Sequence, residues 1–358
     1  MAASPSLAKT RVPGNAYEMD PLVDPRWAAF VDRHPQSSVF HGTKWLRALK
    51  SVYGYDSSVI TASAPGCALT NGLVFCRIKS WLTGRRLVSL PFSDHCEPLL
   101  ESPEELDHLL QHAQQQVARE KWKYLEIRPM ACDPSRQTGL SRHITYHFHS
   151  LDLRPSLAQL FKNFHKDCVQ RKIRRAEREQ LHYEAGTSEA LLRKFYRLLV
   201  MTRRRQYLPP QPMAWFRGLI AAFGDDLKIR LASKDGVALA GILTLSHKKC
   251  MVYKYGCSDA AFNNLGGTPL LFWKAIQEAK HLGMDQLEMG RCDLDNSGLA
   301  VFKERWGASR RSISYWTFPR QPLRTPSLWK NGLEKRTVSV LPDFALEAVG
   351  GLLYKHIG

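Results

Sequence analysis

The chain runs through one order of elements twice. KYLEIRP (123–129) and DQLEMGR (285–291) both read as strands, and each follows a helix that itself follows a three-strand meander. The repetition is one of architecture more than of residues. In the first pass a helix is expected over Thr43–Val52. Strands follow near Ser57–Ser63, Ala68–Ser80 and Arg85–Phe92, parted by the turn signals APG and TGR. The segment SPEELDHLLQHAQQQVARE reads as the next helix, with Ser102 as N-cap, Pro103 at its first position and acids in its first turn. The second pass opens on a strand, LHYEAGTS (181–188). Helix EALLRKFYRLLVMTRRRQY comes next, stopped by Pro209-Pro210, and then helix PMAWFRGLIAAFG. Strands LKIRLASKDG, VALAGILTLSH and KCMVYKYGCS lead to the stretch NNLGGTPLLFWKAIQEAKHLG. There Thr268 reads as N-cap, Pro269 as the first helical residue and Gly283 as the residue past the end. Strand DQLEMGR, helix LAVFKERWG and strand SISYWTF complete the series.

Two such passes in 358 residues suit two domains, each large enough to bury its own core. The boundary is expected between Arg142 and Arg154. Residues 1–20 are small, polar and proline-bearing and are expected to be loosely ordered. The net charge of +18 points to polyanionic company, whether phosphorylated substrates, nucleic acid or an anionic membrane surface. The eight cysteines stand singly with no CxxC, which fits the reduced, buried thiols of a cytoplasmic protein better than a disulfide framework or a zinc site. No apolar run reaches eighteen residues, and the N-terminus lacks the apolar core of a signal peptide, so no transmembrane segment and no export are expected. His108 and His112, and the group His143, His147 and His149, have no cysteine or convincing acidic partner, so no metal is expected. Walker, Rossmann and serine-triad signatures are absent.

Seven segments carry a resemblance: FHGTKWLRALKSVYG, LVSLPFSD, YLEIRP, QRKIRRAEREQL, TRRRQYLPPQP, YKYGCS and LEMGRCDLDNSGLAVFKERWGA. They come in the order found in FemAB-like and BioF-like acyltransferases of the GNAT superfamily, a group with members associated with exopolysaccharide and PEP-CTERM systems. The chain resembles that group from about Trp27 to Phe318. The resemblance implies an α/β (α+β) fold of tandem GNAT-like domains, each a mixed sheet flanked by helices. Residues 21–148 would form the first domain and residues 149–320 the second, which carries the site. Residues 321–358 would form a tail with a helix in SVLPDFALEAVGGLLYKHIG, expected to pack on the protein, with peripheral contact to the inner membrane face as the alternative. The activity implied is transfer of an acyl or aminoacyl group to an amine, with no tightly bound cofactor.

When an amine attacks a carbonyl, charge develops on the oxygen, and a fixed ammonium nearby stabilises it. Lys303, in FKERWGA, matches the lysine to which the resemblance assigns that role; otherwise it is a solvated lysine on a helix whose buried face is Phe302 and Trp306. Arg291 and Asp293 directly follow a strand. Arg291 is expected to bind a carboxylate or phosphate and Asp293 or Asp295 to accept a proton from the incoming ammonium; the alternative is that Asp295 and Ser297 cap the next helix and Arg291 pairs internally. Lys162 to Arg217 holds 14 basic and 5 acidic residues, half of the chain's whole charge excess. On its first helix Arg171, Arg174, Arg175 and Arg178 share one side, and on the next Arg203 and Tyr207 stand four apart, expected to project together. By resemblance Arg203 and Tyr207 would hold the diphosphate of a nucleotide-linked acceptor. Tyr255 is expected either in the pocket or in the core. Trp45 resembles a substrate-contact residue, while a buried anchor for its helix is the alternative. Gly266, Gly267 and Thr268 stand where a GNAT enzyme holds the CoA pyrophosphate on helix-terminal amides. The usual Q/R-x-x-G-x-G/A loop is absent, so they are kept as donor contacts only.

The donor expected from these residues is acyl-CoA, with aminoacyl-tRNA as the alternative. The acceptor is an amino group on an anionic small molecule or lipid-linked saccharide in envelope or exopolysaccharide metabolism. A non-catalytic RNA-binding or scaffold protein is the reading from another class. It differs by tolerating substitution of Lys303 and Arg291.

Overall fold

The structure is a computed structural model, and it describes residues 15–102, 104–136, 139–321 and 341–357. The first half contains β1 (Tyr17–Met19), α1 (Pro25–Arg33), α2 (Thr43–Tyr53), β2 (Asp56–Thr61), β3 (Leu73–Ser80), β4 (Gly84–Val88), α3 (Glu105–Arg119) and β5 (Tyr124–Ile127). After β6 (Ser141–Asp152), the second half contains α4 (Leu157–Asn163), α5 (Arg171–Arg178), β7 (His182–Gly186), α6 (Glu189–Arg205), α7 (Met213–Phe223), β8 (Leu227–Lys234), β9 (Val237–His247) and β10 (Cys250–Ser258). It closes with α8 (Gly267–His281), β11 (Gln286–Asp293), α9 (Ser297–Glu304), β12 (Ser309–Phe318) and a last helix, α10 (Asp343–Ile357).

The repeat is visible in strand direction. β2, β3 and β4 pair antiparallel in succession and β4 pairs parallel with β5. β8, β9 and β10 do the same, and β10 pairs parallel with β11. Each half is thus a mixed sheet flanked by helices. The two sheets are continuous: among the described residues the order is β1-β2-β3-β4-β5-β12-β6-β11-β10-β9-β8-β7. The join is made by β12, which pairs with β5 on one side and β6 on the other. The helical layer is shared as well. Trp27, Phe30, Trp45 and Leu49 of the first half and Phe195, Leu198, Trp215 and Phe216 of the second belong to one buried cluster.

Several expectations are corrected. The span from Arg142 to Arg154, where the boundary is expected, is for the most part β6, a twelve-residue strand at the middle of the sheet. Its histidines conceal it, because His143 and His149 are buried where a strand pattern calls for apolar residues. Tyr17–Met19, expected to be loose, pairs with Val59–Thr61 as an edge strand. Ser102 does not cap α3, which begins at Glu105. Instead the Glu105 carboxylate accepts the backbone amides of Glu101 and Ser102 at 3.0 and 3.3 Å. The expectation for Pro103 lies outside the described residues. Thr268 sits inside the first turn of α8, whose cap is Gly266, with a left-handed φ of 83°.

The tail helix packs on the protein and ties the halves together. Leu346 of α10 is fully buried, and Gly350 lies so close to Pro210 that an added Cβ would stand 2.0 Å from its carbonyl oxygen. At its far end Tyr55 donates to the Lys355 carbonyl at 2.9 Å, Arg86 donates to the His356 carbonyl at 2.8 Å, and the His356 ring meets Ser80 at 3.0 Å.

Candidate active site

β10 and β11 run together only from Cys250/Gln286 to Val252/Glu288. Beyond that point β10 stays with β9 and β11 with β6, and each strand slips register, at Tyr253/Tyr255 and at Glu288/Gly290. The register slips release the two strands from each other, and a wedge opens between them.

The loop after β4 inserts Asp94 into this wedge. Its carboxylate lies 3.1 Å from the Lys254 ammonium and 3.7 Å from the Arg291 guanidinium. Tyr315 of β12 donates to the Asp94 carbonyl at 2.8 Å and itself accepts from Arg291. The Arg128 guanidinium lies 4.8 Å from the centre of the Tyr315 ring, held by Glu126 at 2.8 Å. Both halves of the chain therefore build one ionic centre. Burial by itself pushes the Asp94 carboxyl up, but Lys254 and Arg291 outweigh it and hold the pKa below the ordinary value. Burial lowers the Lys254 pKa in spite of Asp94.

Lys303 is almost wholly buried and approaches from α9. Its ammonium donates to the carbonyls of Gly290 at 2.8 Å and Arg291 at 3.0 Å. An ammonium has three N–H groups, so one is left over from these two bonds. This is not the solvated lysine of the alternative reading. Burial pushes the Lys303 pKa down to about 8, from 10.5. In the unfolded chain the group stays protonated to higher pH, so the folded state binds fewer protons between about 8 and 10.5. The Lys303 contribution to stability therefore rises with pH across that window. Any activity that needs its charge falls as pH passes about 8, and a pH–rate profile measured beside denaturation midpoints checks both signs.

Trp45 and Tyr255 form the wall behind Lys254, whose ammonium lies 5.8 and 5.9 Å from their rings. Trp45 is fully buried, edge-on to Trp215, and Trp215 donates to the Tyr255 hydroxyl at 2.8 Å. Asp293 ends β11 opposite Tyr146, past Arg291, and its carbonyl accepts the Asn296 amide at 3.0 Å ahead of α9. Arg203 and Tyr207 do not project together. α6 stops at Arg205 and Tyr207 takes a left-handed φ of 58°, so helical spacing no longer applies. Tyr207 is exposed, whereas Arg203 is half-buried, bound to Gln206 at 3.1 Å, with its Nε buried and without a hydrogen-bond partner. The Arg203 charge acts on Tyr253, Tyr255 and Cys257, which places it beside the far end of β10. Arg174 is exposed and stacks over Phe161 at 5.5 Å. Its neighbours Arg171 and Arg175 lie against Asp167 and Glu179.

A cavity of about 280 Å³ opens where β10 ends, lined by Lys172, Ser258, Thr268, Pro269, Phe302 and Arg305 among others. Of the three residues proposed for the donor, Thr268 reaches it. Gly266 and Gly267 are closely packed at their Cα positions. A Cβ on Gly266 would stand 2.2 Å from the Lys172 carbonyl oxygen, and one on Gly267 3.1 Å from Ala240. Gly266→Ala is expected to cost about 2–4 kcal/mol of stability, from the left-handed backbone and the clash together. Chemical denaturation checks this, and a changed donor affinity at unchanged stability would contradict it.

Residues 164–304 match the family model described as acetyltransferase (GNAT) domain. The chain carries a GNAT domain. It is an acyltransferase, and its GNAT domain supplies Lys254, Arg291 and Lys303, while Asp94, Arg128 and Tyr315 come from outside the matched residues. A search of curated proteins returned no match. Among solved structures the fold is similar to FemX (15% identity, TM-score 0.67, covering 83% of this chain and 96% of that one). It is similar to L-PGS from Bacillus licheniformis (13% identity, TM-score 0.53, 94% and 98% covered). It is also similar to a tandem GNAT protein from the clavulanic acid biosynthesis pathway (11% identity, TM-score 0.53, 85% and 97% covered). Sequence reasoning passed over Asp94, Lys254 and Tyr315. The first two stood in LVSLPFSD and YKYGCS, segments that carried the resemblance, and their opposite charges were the available signal.

Proposed function

We propose that this GNAT acyltransferase transfers an acyl group from acyl-CoA to the amino group of an anionic, phosphate-bearing acceptor. The reading rests on the buried Lys303 ammonium, fixed by two strand carbonyls where β10 and β11 part, with its third N–H left for a substrate oxygen. The acceptor amine attacks the thioester carbon, the C–N bond forms and the C–S bond breaks. The oxyanion formed on the way takes the spare Lys303 N–H, and the leaving thiolate ends with the proton that the amine gives up. Asp94, kept ionised by Lys254 and Arg291, orients the incoming amine by charge; its low pKa suits an electrostatic anchor better than a base. Asp293, at the end of β11, is the residue proposed to take the first proton from the incoming ammonium, which frees the amine to attack; the second is the one that reaches the thiolate. Thr268, Lys172 and Arg305 line the cavity proposed for the donor, and Arg203, with its unpartnered Nε, is proposed for the acceptor phosphate, with Tyr207 outside it.

Aminoacyl-tRNA as donor has one observation in its favour. α5, which contributes Lys172 to the cavity wall, also carries Arg174 and Arg178 exposed to solvent. A thermal-shift screen of CoA thioesters, aminoacyl-tRNA and nucleotide sugars separates the two, followed by mass analysis of the modified acceptor. Stabilisation by a CoA thioester and acyl addition to an amine are expected. Silence from every thioester, with RNase-sensitive transfer from aminoacyl-tRNA, would replace the donor. Binding of none would favour the scaffold reading.

A further inference from the structure

The turn joining β3 to β4 presents Trp81 and Leu82 to water, 81% and 50% exposed. Their side chains do not hold the turn together. Ser80 Oγ does, by accepting the backbone amides of Leu82 at 3.2 Å and Thr83 at 3.0 Å. Cations surround the tip. Lys79 and Arg85 are cross-strand partners at its base, and Lys123 reaches the Thr83 carbonyl at 3.5 Å. Four acids share the hollow beside Lys79 and Arg85. Glu18 is bound to Arg77, Asp20 accepts the Leu22 amide at 2.8 Å, Asp56 lies 3.9 Å from Lys50, and Glu120 accepts from Trp122 at 2.8 Å and Gln116 at 3.0 Å.

α10 ends at the same tip, where the His356 ring lies 5.4 Å from that of Trp81. The helix buries Leu346, Gly350 and His356 and leaves Phe344, Ala348 and Leu352 exposed, four apart on one stripe, followed by exposed Lys355 and Ile357. Trp81, Phe344 and Leu352 are three of the four most exposed large apolar side chains among the described residues. An interfacial tryptophan, an apolar helical stripe and a collar of lysine and arginine fit a surface that is oily in the middle and negative at its rim.

We propose that this face docks the protein on an anionic lipid bilayer. Trp81 and Leu82 enter the headgroup boundary tip first, flanked on one sheet face by Lys79 and Arg85, with Lys123 beside them, and on the other by the last turn of α10 with Leu352, Lys355 and Ile357, so that the cations on both sides meet lipid phosphates. The contact is peripheral, since among the described residues no helix is long and apolar enough to cross a membrane. The docking face is separate from the wedge and does not depend on which acyl group is transferred.

The test is sedimentation of the full chain with vesicles of phosphatidylcholine alone and of phosphatidylcholine with phosphatidylglycerol. Binding is expected to the anionic vesicles and to weaken with salt. A Trp81→Glu/Leu82→Glu variant and a Lys79→Glu/Lys355→Glu variant are each expected to lower the partition by about tenfold or more, with unchanged circular dichroism because these side chains are exposed. Brominated acyl chains are expected to quench the wild-type tryptophan fluorescence, and Trp81→Phe to remove that quenching. Equal binding by wild type and variants, or quenching unchanged in Trp81→Phe, would overturn the proposal. So would absence of binding to either vesicle, which would leave the face to a protein partner. Transfer measured on a water-soluble acceptor is unaffected by any of these results, so the docking surface and the acyl-transfer reading fail separately.

Discussion

Lys303→Ala is expected to lower kcat by about 10²- to 10³-fold, the scale seen when a single fixed donor to a developing oxyanion is removed. KM for the donor is expected to change little, because the ground-state carbonyl gains little from that donor. The loss should not be confused with unfolding. The substitution leaves two strand carbonyls, of Gly290 and Arg291, without their ammonium. That costs about 1–3 kcal/mol for each group left buried and unpaired, less if water enters the space vacated. Circular dichroism and denaturation midpoints measured on the same preparation separate the two effects. Near-normal turnover in a folded variant would remove Lys303 from the chemistry and return the chain to the scaffold reading.

The second large effect is expected at Asp94. Its side chain is 14% exposed and that of its partner Lys254 is 8% exposed, so the pair is held away from bulk water. Asp94→Asn leaves the Lys254 ammonium buried beside Arg291 without a counter-charge, and removal of one member of a buried pair costs about 3–5 kcal/mol. Adding Lys254→Met removes the stranded charge and is expected to recover most of that stability, since an apolar side chain of similar length replaces the ion. Activity follows a different course: the double variant is expected to be folded and inactive, because the charge that orients the acceptor amine is gone. A double-mutant cycle on unfolding free energy, read beside turnover, shows whether the two responses part. Recovery of turnover along with stability would make the pair purely structural.

Much of the fold was legible because helix and strand signals repeat in the same order, and strand direction in the two halves follows that repeat. β6 was not legible. It lies at the middle of the sheet with His143 and His149 buried among its apolar residues, so its pattern reads as polar. Lys303 could be singled out from sequence because it matches a lysine of the group the chain resembles, and Arg291 because it directly follows a strand. Their surroundings could not. Asp94 stands on a loop far from both in the chain, and only the register slips in β10 and β11 make the opening that it enters. Helical spacing put Arg203 and Tyr207 on one face, but the helix ends between them. Gly266 and Gly267 could be kept only as donor contacts because glycines serve ligand contact and close packing alike, and the sequence does not show the nearness of Lys172 to Gly266.

The placement of β12 bears on how the chain is made. Trp316 of β12 lies against Ile127, and Ile313 against Tyr146, so the gap between β5 and β6 is filled by a strand made only after everything from β6 to α9. Until then the nascent first half carries an open strand edge at β5, available to any passing partner, another copy of itself included. A polypeptide ending before residue 309 would keep that edge for life. Neither half can close before β12 has been made.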